Sequence, residues 1–521
     1  MNPNSGRTLP NQPTGPPAFH PPSQTLPMVS VIIPVYNAEK YVAETLRSIL
    51  QSDYRDIEVV CVDDGSTDRS AREVEAVAQT DSRVRLLWQE NGGVCRARNA
   101  AIAASRGKYI LPIDADDLVM PSFISSAVRI LETRPEVKAV VPLTEFFGAR
   151  EGLWKLAPFS RRLLARKNMI PVSALYRRAD FDRTRGYCEE IKAREDWEFW
   201  IQMLKDGGEV AYLTEISLRY RIHGNTKRVG DRKKKRHVVD VLNRLHPEFF
   251  ERELGGPLHY RRSWSRWLNR LSGWVCPKKV HLEPGFEALR YFVATLPLHF
   301  RVLRDGEIIY SGRNELRAFD TKGVRMVVKS FCLPFFLNRI VYGWLRSSKA
   351  QRSCEYAAML RRMGIDSPAP VGYCTTRRWG LFAQSYYASL ESELPFTYID
   401  LMEGRVEQPE AVLKEIGRLN AKLHEAGIIH TDFSRGNILI GTAADGTPHL
   451  QLVDLNRMRF RPVSFEEGCA NFERLPATEA MKRALAAGYA EGRHRSTEEA
   501  LALWPSTEAM DSEAAGKRAA K

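Results

Sequence analysis

VSVIIPVYN spans residues 29–37, and a similar run, IEVVCVDDG, follows at 57–65. Each run is almost continuously apolar until it ends in turn residues, as expected for a strand that is buried on both faces. A helical pattern at 39–51 separates the two runs, and KYILPIDADD (108–117) continues the alternation. Strand–helix–strand units of this length predict an α/β domain with a mainly parallel, Rossmann-like sheet.

Acidic residues follow these predicted strands directly. Asp63 and Asp64 end the second strand, and Asp114, Asp116 and Asp117 end the strand at 108–113. The ligand site of a parallel sheet lies beyond the carboxyl ends of its strands, so both clusters should face one site. Converging carboxylates repel one another unless a divalent cation lies between them, and such a cation can also bind a diphosphate. A solvated turn with helix-capping aspartates is the alternative for an isolated DxD cluster.

The informative part of the sequence extends well beyond the aspartate cluster. VSVIIPVYNAEKYVAETLRSIL, VDDGSTD and ENGGVCRARNAAIAASRGKYILPIDADD together resemble family 2 of the inverting glycosyltransferases, which bind nucleotide sugars with a GT-A fold. The resemblance covers residues 29–228. It implies a nucleotide-sugar site formed by Pro34, Tyr36, Asp63, Asp64 and Asp116.

The same resemblance implies a metal site and a catalytic base. The metal, Mg²⁺ or Mn²⁺, would be held by Asp114, Asp117 and His223. Asp196 in REDWEFWIQML (194–204) matches the general base, which must reach the acceptor hydroxyl on the face opposite the leaving diphosphate. Helix capping is the alternative role for Asp196, and a structural role is the alternative for His223.

The whole-chain properties limit the class of protein. At 521 residues two or three domains are expected, and the net charge of +14 favours anionic partners or reflects solubility alone. The eight cysteines are scattered without a CxxC pair, which fits a reducing cytosol rather than a zinc ribbon or a disulfide framework. Residues 1–27 are expected to be disordered, without a signal-peptide pattern, and no apolar run reaches the roughly 18 residues that span a bilayer.

A basic and aromatic segment follows the first domain. DRKKKRH (231–237) precedes HYRRSWSRWLNRLSGWVCPKK (259–279), in which tryptophans alternate with arginines. Such a segment can lie on an anionic membrane surface, as can FCLPFFLNRIVYGWL (331–345). The alternative is a linker helix that packs its tryptophans between two domains. No nucleic-acid-binding module is recognised, so no nucleic acid is expected as a partner.

The last third contains a second ordered set of polar residues. Three strand-like runs at 306–331 predict an antiparallel sheet, and helical patterns follow at 348–364 and 411–427. The set comprises Lys329 on a strand, Glu355 on the next helix, Asp432 and Asn437 in IIHTDFSRGNILI (428–440), and Asp454 after LQLV. This order is that of the protein-kinase constellation.

In that constellation each residue has a stated task. Lys329, held by Glu355, would bind the phosphates of ATP, and Asp432 would orient the acceptor hydroxyl and take its proton. Asn437 and Asp454 would hold Mg²⁺ on the phosphates. Surface ion pairs and turn residues are the alternative roles.

The departures from a protein kinase are informative. No GxGxxG loop is present, His430-Thr431-Asp432 replaces His-Arg-Asp, and no APE-type segment follows Asp454. VVKSF, SKAQRSCEYAAML, GIIHTDFSRGNIL and LVDLNRMRF resemble the lipopolysaccharide core kinases, which phosphorylate heptose or 3-deoxy-octulosonic acid. The resemblance covers 305–465 and implies an α+β kinase-like domain.

The predicted organisation is therefore a disordered tail (1–27), a GT-A glycosyltransferase domain (28–228), a basic helical linker (229–300), a kinase-like domain (301–465), and a C-terminal helix and tail (466–521). The predicted protein is a bifunctional enzyme of bacterial surface-glycan or lipopolysaccharide assembly. Its partners would be a nucleotide-sugar donor, ATP, and a glycolipid or oligosaccharide acceptor. It is expected in the cytoplasm, with peripheral contact at the inner face of the membrane as an option. A protein kinase or a regulatory pseudokinase fused to the transferase is the alternative.

Overall fold

The computed structural model describes residues 28–191, 193–223, 232–333, 339 and 346–505. The chain divides into two compact units, Met1–Val241 and Leu242–Lys521. The predicted tails at 1–27 and from 506 onward lie outside the described residues, as does most of the apolar segment at 331–345.

A single sheet organises the first unit. Its strands are β1 Val29–Val35, β2 Ile57–Asp63, β3 Val84–Trp88, β4 Tyr109–Pro112, β5 Leu118–Val119, β6 Val137–Gly148, β7 Gly152–Leu153, β8 Leu175–Arg177 and β9 Glu209–Ile222. They lie in the order β3–β2–β1–β4–β8–β6–β9–β5, with β7 paired to β6. β1 pairs in parallel with β2 and β4, β2 with β3, and β6 with β9. The remaining pairs are antiparallel, so the sheet is mixed.

The helices of the first unit cover this sheet. They are α1 Val42–Leu50, α2 Ser70–Ala78, α3 Val94–Ala104, α4 Phe123–Thr133, α5 Arg161–Leu164, α6 Arg178–Phe181 and α7 Glu195–Leu204. The apolar faces of α1, α2 and α4 pack with β1, β2 and β4 in one core. Because β1, β2 and β4 are parallel, the acids that follow β2 and β4 lie at the same edge of the sheet.

Helix α8 Arg232–Leu245 spans the boundary between the units. The second unit begins with the helices α9 Pro247–Leu254, α10 Ser265–Val275 and α11 Arg290–Leu298 and an antiparallel sheet, whose first strand precedes α11. Its strands are β10 Lys278–Leu282, β11 Glu307–Ser311, β12 Glu315–Thr321, β13 Val324–Ser330, β14 Pro370–Arg378 and β15 Leu381–Leu390. They lie in the order β10–β14–β15–β13–β12–β11. α12 (Lys349–Arg362) packs against β14 and β15, whereas α11 packs in the core formed with β13 and β14.

A second, mainly helical core follows. Its elements are α13 Tyr398–Met402, α14 Pro409–Glu425, β16 Phe396–Thr397, β17 Ile428–His430, β18 Ile438–Thr442, β19 Pro448–Leu452, β20 Met458–Phe460, α15 Phe465–Ala470, α16 Glu479–Gly492 and α17 Thr497–Ala502. α14 and α16 approach so closely that a side chain at Gly488 would collide with the carbonyl of Lys414. This packing fixes α14, which leads into β17 and the loop at 431–437.

The predicted fold class, an α/β domain followed by an α+β domain, is confirmed, and the sheet of the first domain is mixed. The domain bounds remain predictions. The structure places the division at 241/242, and two elements outside 301–465 share the kinase-like cores, because β10 extends the sheet and α16 packs on α14.

Candidate active sites

A cavity of about 720 Å³ lies at the acidic edge of the first sheet. Of the residues predicted from sequence, it is lined by Pro34, Tyr36, Asp64, Asp114, Asp116 and His223. Tyr41, Arg98, Glu195 and Tyr220 line it as well. Tyr36 is 53% exposed, so one face of its ring is available for stacking on a planar ligand.

The two aspartates after β2 differ in their contacts. The carboxylate of Asp64 accepts hydrogen bonds from the backbone N–H groups of Gly92 (2.8 Å) and Gly93 (2.9 Å) and from Gln89 (2.6 Å). Asp63 accepts one from the N–H of Ser66 at 2.8 Å, and its Oδ2 is buried with no hydrogen-bond partner in the described structure. Asp64 therefore holds the loop that borders the cavity, and Asp63 retains an unused acceptor.

The acids after β4 occupy three different environments. Asp114 forms an ion pair with Arg98 at 2.7 Å, and Asp116 lies 2.6 Å from Nε2 of His223. Asp117 is fully buried: its Oδ1 accepts from the N–H of Arg221 at 3.0 Å, and its Oδ2 has no partner among the described residues. Of the three, Asp114 and Asp116 line the cavity and Asp117 does not.

The charges of this cluster favour a cation. Burial, and then the charge of Asp114, raise the pKa of Asp116, although its hydrogen bond with His223 opposes the rise. Burial raises the pKa of Asp117 well above its usual value, and Asp114 and Asp116 add to the rise. A bound divalent cation stabilises most strongly those carboxylates whose ionisation is otherwise disfavoured. The side chains of this cluster therefore fit a divalent cation.

Arg98 is a buried cation beside these acids. Its guanidinium is 3% exposed and pairs with Asp114 on one side and with Glu195, at 2.9 Å, on the other. It also lies 5.5 Å from the ring centre of Tyr187. Burial lowers the pKa of Arg98, but the neighbouring carboxylates raise it by more, so the side chain remains charged. One buried arginine thus joins the acid cluster to the start of α7.

The start of α7 presents Asp196. Its Oδ2 accepts from Asn168 at 2.7 Å, and its Oδ1 accepts from the N–H of Trp197 at 2.8 Å. Burial, and next the charge of Glu195, raise the pKa of Asp196 to about 7, against the opposing effect of Arg98. A carboxylate with this pKa can take a proton efficiently near neutral pH.

Replacing Arg98 with alanine is expected to destabilise the first unit by about 2–4 kcal/mol, because it leaves two partly buried carboxylates without their counter-charge. Urea denaturation measures the loss, and hydrogen exchange in α3 and α7 localises it. Arg96 is an exposed arginine on the same helix, so Arg96→Ala is the matched control and should change stability little. Equal losses in the two variants would contradict the structural role of Arg98.

The second site is centred on an ion pair in the kinase-like unit. Nζ of Lys329 lies 2.8 Å from Oδ1 of Asp454, and both side chains are largely buried. The predicted pairing of Lys329 with Glu355 is not seen. Glu355 is exposed and accepts from Gln351 at 2.8 Å, because the preceding residue, Cys354, occupies the buried face of α12. Asp454 therefore takes the lysine.

The loop after β17 holds Asp432 and Asn437 together. Nδ2 of Asn437 donates to the carbonyl of Asp432 at 2.8 Å. The N–H of Asp432 donates to Nδ1 of buried His430 at 3.2 Å, and His430 Nε2 lies 3.3 Å from the carbonyl of Val453. Burial lowers the pKa of His430, so the ring is neutral and Nε2 is the donor to Val453. Neutral His430 thus links the Asp432 loop to the residue before Asp454.

Arginines and a lysine surround these acids. The carboxylate of Asp432 pairs with Arg474 at 2.7 Å and with Arg457 at 3.2 Å. Burial lowers the pKa of Lys349, and the positive charges of Arg313 and Arg457 lower it further. Cations crowded closely enough to disfavour one another's charge form a site for a polyanion such as a triphosphate.

Comparison with known proteins gives a family match within each unit. Residues 30–189 match the model of glycosyl transferase family 2, and residues 335–489 match that of the lipopolysaccharide kinase (Kdo/WaaP) family. The chain carries a family 2 glycosyltransferase domain and a lipopolysaccharide kinase family domain. Both predicted family resemblances are confirmed.

Individual relatives match the glycosyltransferase domain. An uncharacterised glycosyltransferase of Haemophilus influenzae is 28% identical over 39% of this chain and 68% of its own length. The uncharacterised glycosyltransferase EpsJ of Bacillus subtilis is 31% identical over 39% of this chain, which spans 63% of that relative. Among solved structures, S. aureus TarS 1–349 is 21% identical, with a TM-score of 0.36 over 53% of this chain and 83% of its own.

Sequence reasoning did not single out several residues of these sites. In the glycosyltransferase domain they are Arg98, Asn168 and Arg221; in the kinase domain they are Lys349, Arg457 and Arg474. Arg98 lies within the motif ENGGVCRARNAAIAAS, where an arginine among small apolar residues was a usable signal. Arg457 lies within LVDLNRMRF, whereas Asn168, Lys349 and Arg474 have no local pattern that distinguishes them.

Proposed function

We propose that this chain is a bifunctional enzyme of bacterial surface-glycan assembly. The glycosyltransferase domain transfers a sugar from a nucleotide-sugar donor with inversion, and the kinase domain phosphorylates a sugar of the glycan with ATP. The observation that supports it best is that each family-matched domain contains acidic and basic side chains of the kinds its reaction needs. In the first domain these are Asp116, His223 and Asp196, and in the second Lys329, Asp454 and Asp432.

In the glycosyltransferase domain, Asp196 serves as the general base. Its raised pKa suits removal of a proton from the acceptor hydroxyl as that oxygen attacks the anomeric carbon. Asn168 orients the carboxylate by its hydrogen bond to Oδ2. Among the neighbouring charges, Glu195 raises the pKa of Asp196 and Arg98 lowers it.

The donor lies along the acidic edge of the sheet. Asp116 and His223 would hold Mg²⁺ or Mn²⁺, since their polar atoms are already 2.6 Å apart at the cavity wall. A cation bound there would neutralise the negative charge that develops on the leaving diphosphate. Asp114, whose charge is neutralised by Arg98, would bind the ribose of the donor. Pro34 and Tyr36 would contact its nucleotide base. Asp117 supports the cluster from its buried position.

In the kinase domain, positioning and charge neutralisation supply most of the catalysis. Asp432 orients the acceptor hydroxyl and accepts its proton, while Asn437 and Asp454 would hold Mg²⁺ that arrives with ATP. Lys329 would bind the phosphates, beside Asp454, with which it forms an ion pair in the structure. Lys349, Arg313 and Arg457 add positive charge around the triphosphate.

A single glycolipid acceptor explains why both domains lie on one chain. The test is mass analysis of surface glycolipid from cells that carry either Asp196→Asn or Asp432→Asn. The first should lose a sugar and the second a phosphate. ATP turnover that depends on Asp432 but ignores every glycan acceptor would overturn the sugar-kinase half and favour a protein kinase.

Peripheral membrane contact at the cytoplasmic face is part of the proposal. Trp264, Trp267 and Trp274 on and beside α10 are 51%, 60% and 81% exposed. The N–H of Trp379, which is 73% exposed, donates to the carbonyl of Val275 at the end of α10. The exposed arginines beside this aromatic surface are Arg266, Arg270, Arg377 and Arg378. No helix among the described residues is long and apolar enough to cross a membrane.

The double variant Trp267→Ala/Trp274→Ala is expected to bind vesicles of anionic phospholipid about 10-fold more weakly, because amphipathic aromatic rings anchor a helix at headgroup depth. Co-sedimentation measures the bound fraction. Trp88→Ala, at a 62% exposed tryptophan of the glycosyltransferase domain, is the control. Equal binding by the double variant, or binding that does not weaken with added salt, would exclude this surface.

A further inference from the structure

Three metal-ligating side chains converge away from both active sites. His281 lies on the edge strand β10, Glu283 directly follows that strand, and Cys354 lies on α12. Oε1 of Glu283 is 3.3 Å from Nε2 of His281 and 3.4 Å from Sγ of Cys354. The three ligand atoms all lie within 4.8 Å of one another. We propose that His281, Glu283 and Cys354 bind a zinc ion.

Two of the three ligand separations fit a tetrahedral metal, and the third, between His281 and Cys354, lies within 4.8 Å. With Zn–N and Zn–O bonds of about 2.0–2.1 Å and a Zn–S bond of about 2.3 Å, tetrahedral angles separate N from O by about 3.3 Å and S from O by about 3.6 Å. The measured separations of 3.3 Å and 3.4 Å are close to these values. A fourth ligand, water or a side chain, completes the coordination.

The donor types select the metal. Thiolate, imidazole and carboxylate together suit zinc, whereas Mg²⁺ and Ca²⁺ require oxygen ligands. Burial, and next the charge of Glu283, raise the pKa of the Cys354 thiol. Sγ of Cys354 donates a hydrogen bond to Oε1 of Glu283 at 3.4 Å, so these two ligand atoms already meet. Zinc binding would release the thiol proton to solvent.

The surroundings position the ligands and leave an entry path. The ring of His281 stacks on Tyr373 of β14, with centroids 5.2 Å apart, which fixes its orientation. The side chain of His281 is 46% exposed, so an ion can enter from solvent, while Cys354 closes the site from the buried side. Such orientation by neighbouring groups supports metal sites in general.

The site would join two elements of the kinase-like unit. β10 is the outer strand of the antiparallel sheet, and α12 carries Cys354 and the neighbouring Glu355. A zinc ion across them would attach α12 to the edge of the sheet. The structure thus assigns the metal a structural position rather than a catalytic one.

Cobalt substitution tests the proposal on the full-length chain. After treatment with a chelator, Co²⁺ is added to the wild-type protein, to Cys354→Ser and to His281→Ala. We expect a thiolate-to-cobalt charge-transfer band that saturates at one added equivalent in the wild type. The band should be absent in Cys354→Ser. In His281→Ala the apparent affinity for Co²⁺, read from the same band, should be at least about 10-fold weaker. This band is specific for a cysteine ligand, so cobalt at Asp116 and His223 does not contribute.

Cys332→Ser is the matched control, because Cys332 is an exposed cysteine of the same unit. It should retain the band, and added Zn²⁺ should abolish it by displacement. Zinc should also raise the melting temperature of wild type and Cys332→Ser but not of Cys354→Ser. If Cys354→Ser folds poorly, the exposed His281→Ala substitution still decides the question. No band in the wild type, or a band that persists in Cys354→Ser or is unchanged in His281→Ala, would overturn the proposal.

Discussion

Asp432→Asn is expected to lower the rate of phosphate transfer to the glycan acceptor by about 10²–10⁴-fold, the usual contribution of a positioned general base. The amide has nearly the shape of the carboxylate, so the loop held by Asn437 and His430 should keep its conformation. It cannot take the acceptor proton, and it gives up the charge that pairs with Arg457 and Arg474. Binding of ATP should change much less, because Lys329, Lys349 and Asp454 are untouched.

The measurement is transfer of labelled phosphate from ATP to purified surface glycolipid, together with the dissociation constant for ATP. Asp445→Asn is the control, since Asp445 is an exposed turn residue of the same domain whose carboxylate accepts from Thr447. Sugar transfer by the first domain should be unchanged in both variants. If Asp432→Asn transferred phosphate at the rate of Asp445→Asn, Asp432 would not be the base.

The order of residues along the chain predicted a shared site for Lys329, Asp432, Asn437 and Asp454; their catalytic roles remain predictions. Lys329 lies near the end of a recognisable strand, and Asp432, Asn437 and Asp454 lie in the loops after such strands, whose ends can be read from apolar runs. Glu355 was assigned to Lys329 because helical periodicity places it on a helix. Periodicity did not give the rotation of α12, and Cys354 rather than Glu355 faces inward. An error of one residue on a helix turns a side chain by about 100°.

The contacts of Arg98 show what sequence could not provide. Its partners Asp114 and Glu195 are 16 and 97 residues away, so no local pattern connects the three. Burial of an arginine is uncommon and is decided by the tertiary partners that neutralise it. In the same way, sequence placed the acids at one edge of the sheet, but only side-chain geometry distinguished Asp116 beside His223 from Asp117 in the core.

Asp196→Asn is expected to lower kcat/KM for sugar transfer by about 10²–10⁴-fold, because an amide cannot take the proton of the acceptor hydroxyl. Binding of the nucleotide-sugar donor should persist, because Asp116, His223 and the loop held by Asp64 are unchanged. Asp182→Asn, at an exposed aspartate of the same domain, is the control and should transfer sugar normally. Parallel losses of donor binding and of transfer would show instead that the substitution disturbs the cavity.

The pH profile gives the sharper test of the same residue. Only the deprotonated carboxylate of Asp196 is active. Burial and the charge of Glu195 raise its pKa to about 7, whereas Arg98, the N–H of Trp197 and Asn168 oppose the rise. Transfer should therefore be near its maximum above pH 7 and fall about 10-fold for each unit below it. Glu195→Gln removes a negative neighbour, so the midpoint should move to lower pH while Asp182→Asn leaves it in place. An acid limb whose midpoint lies near 4 in the wild type, or stays fixed in Glu195→Gln, would assign the proton transfer to another group.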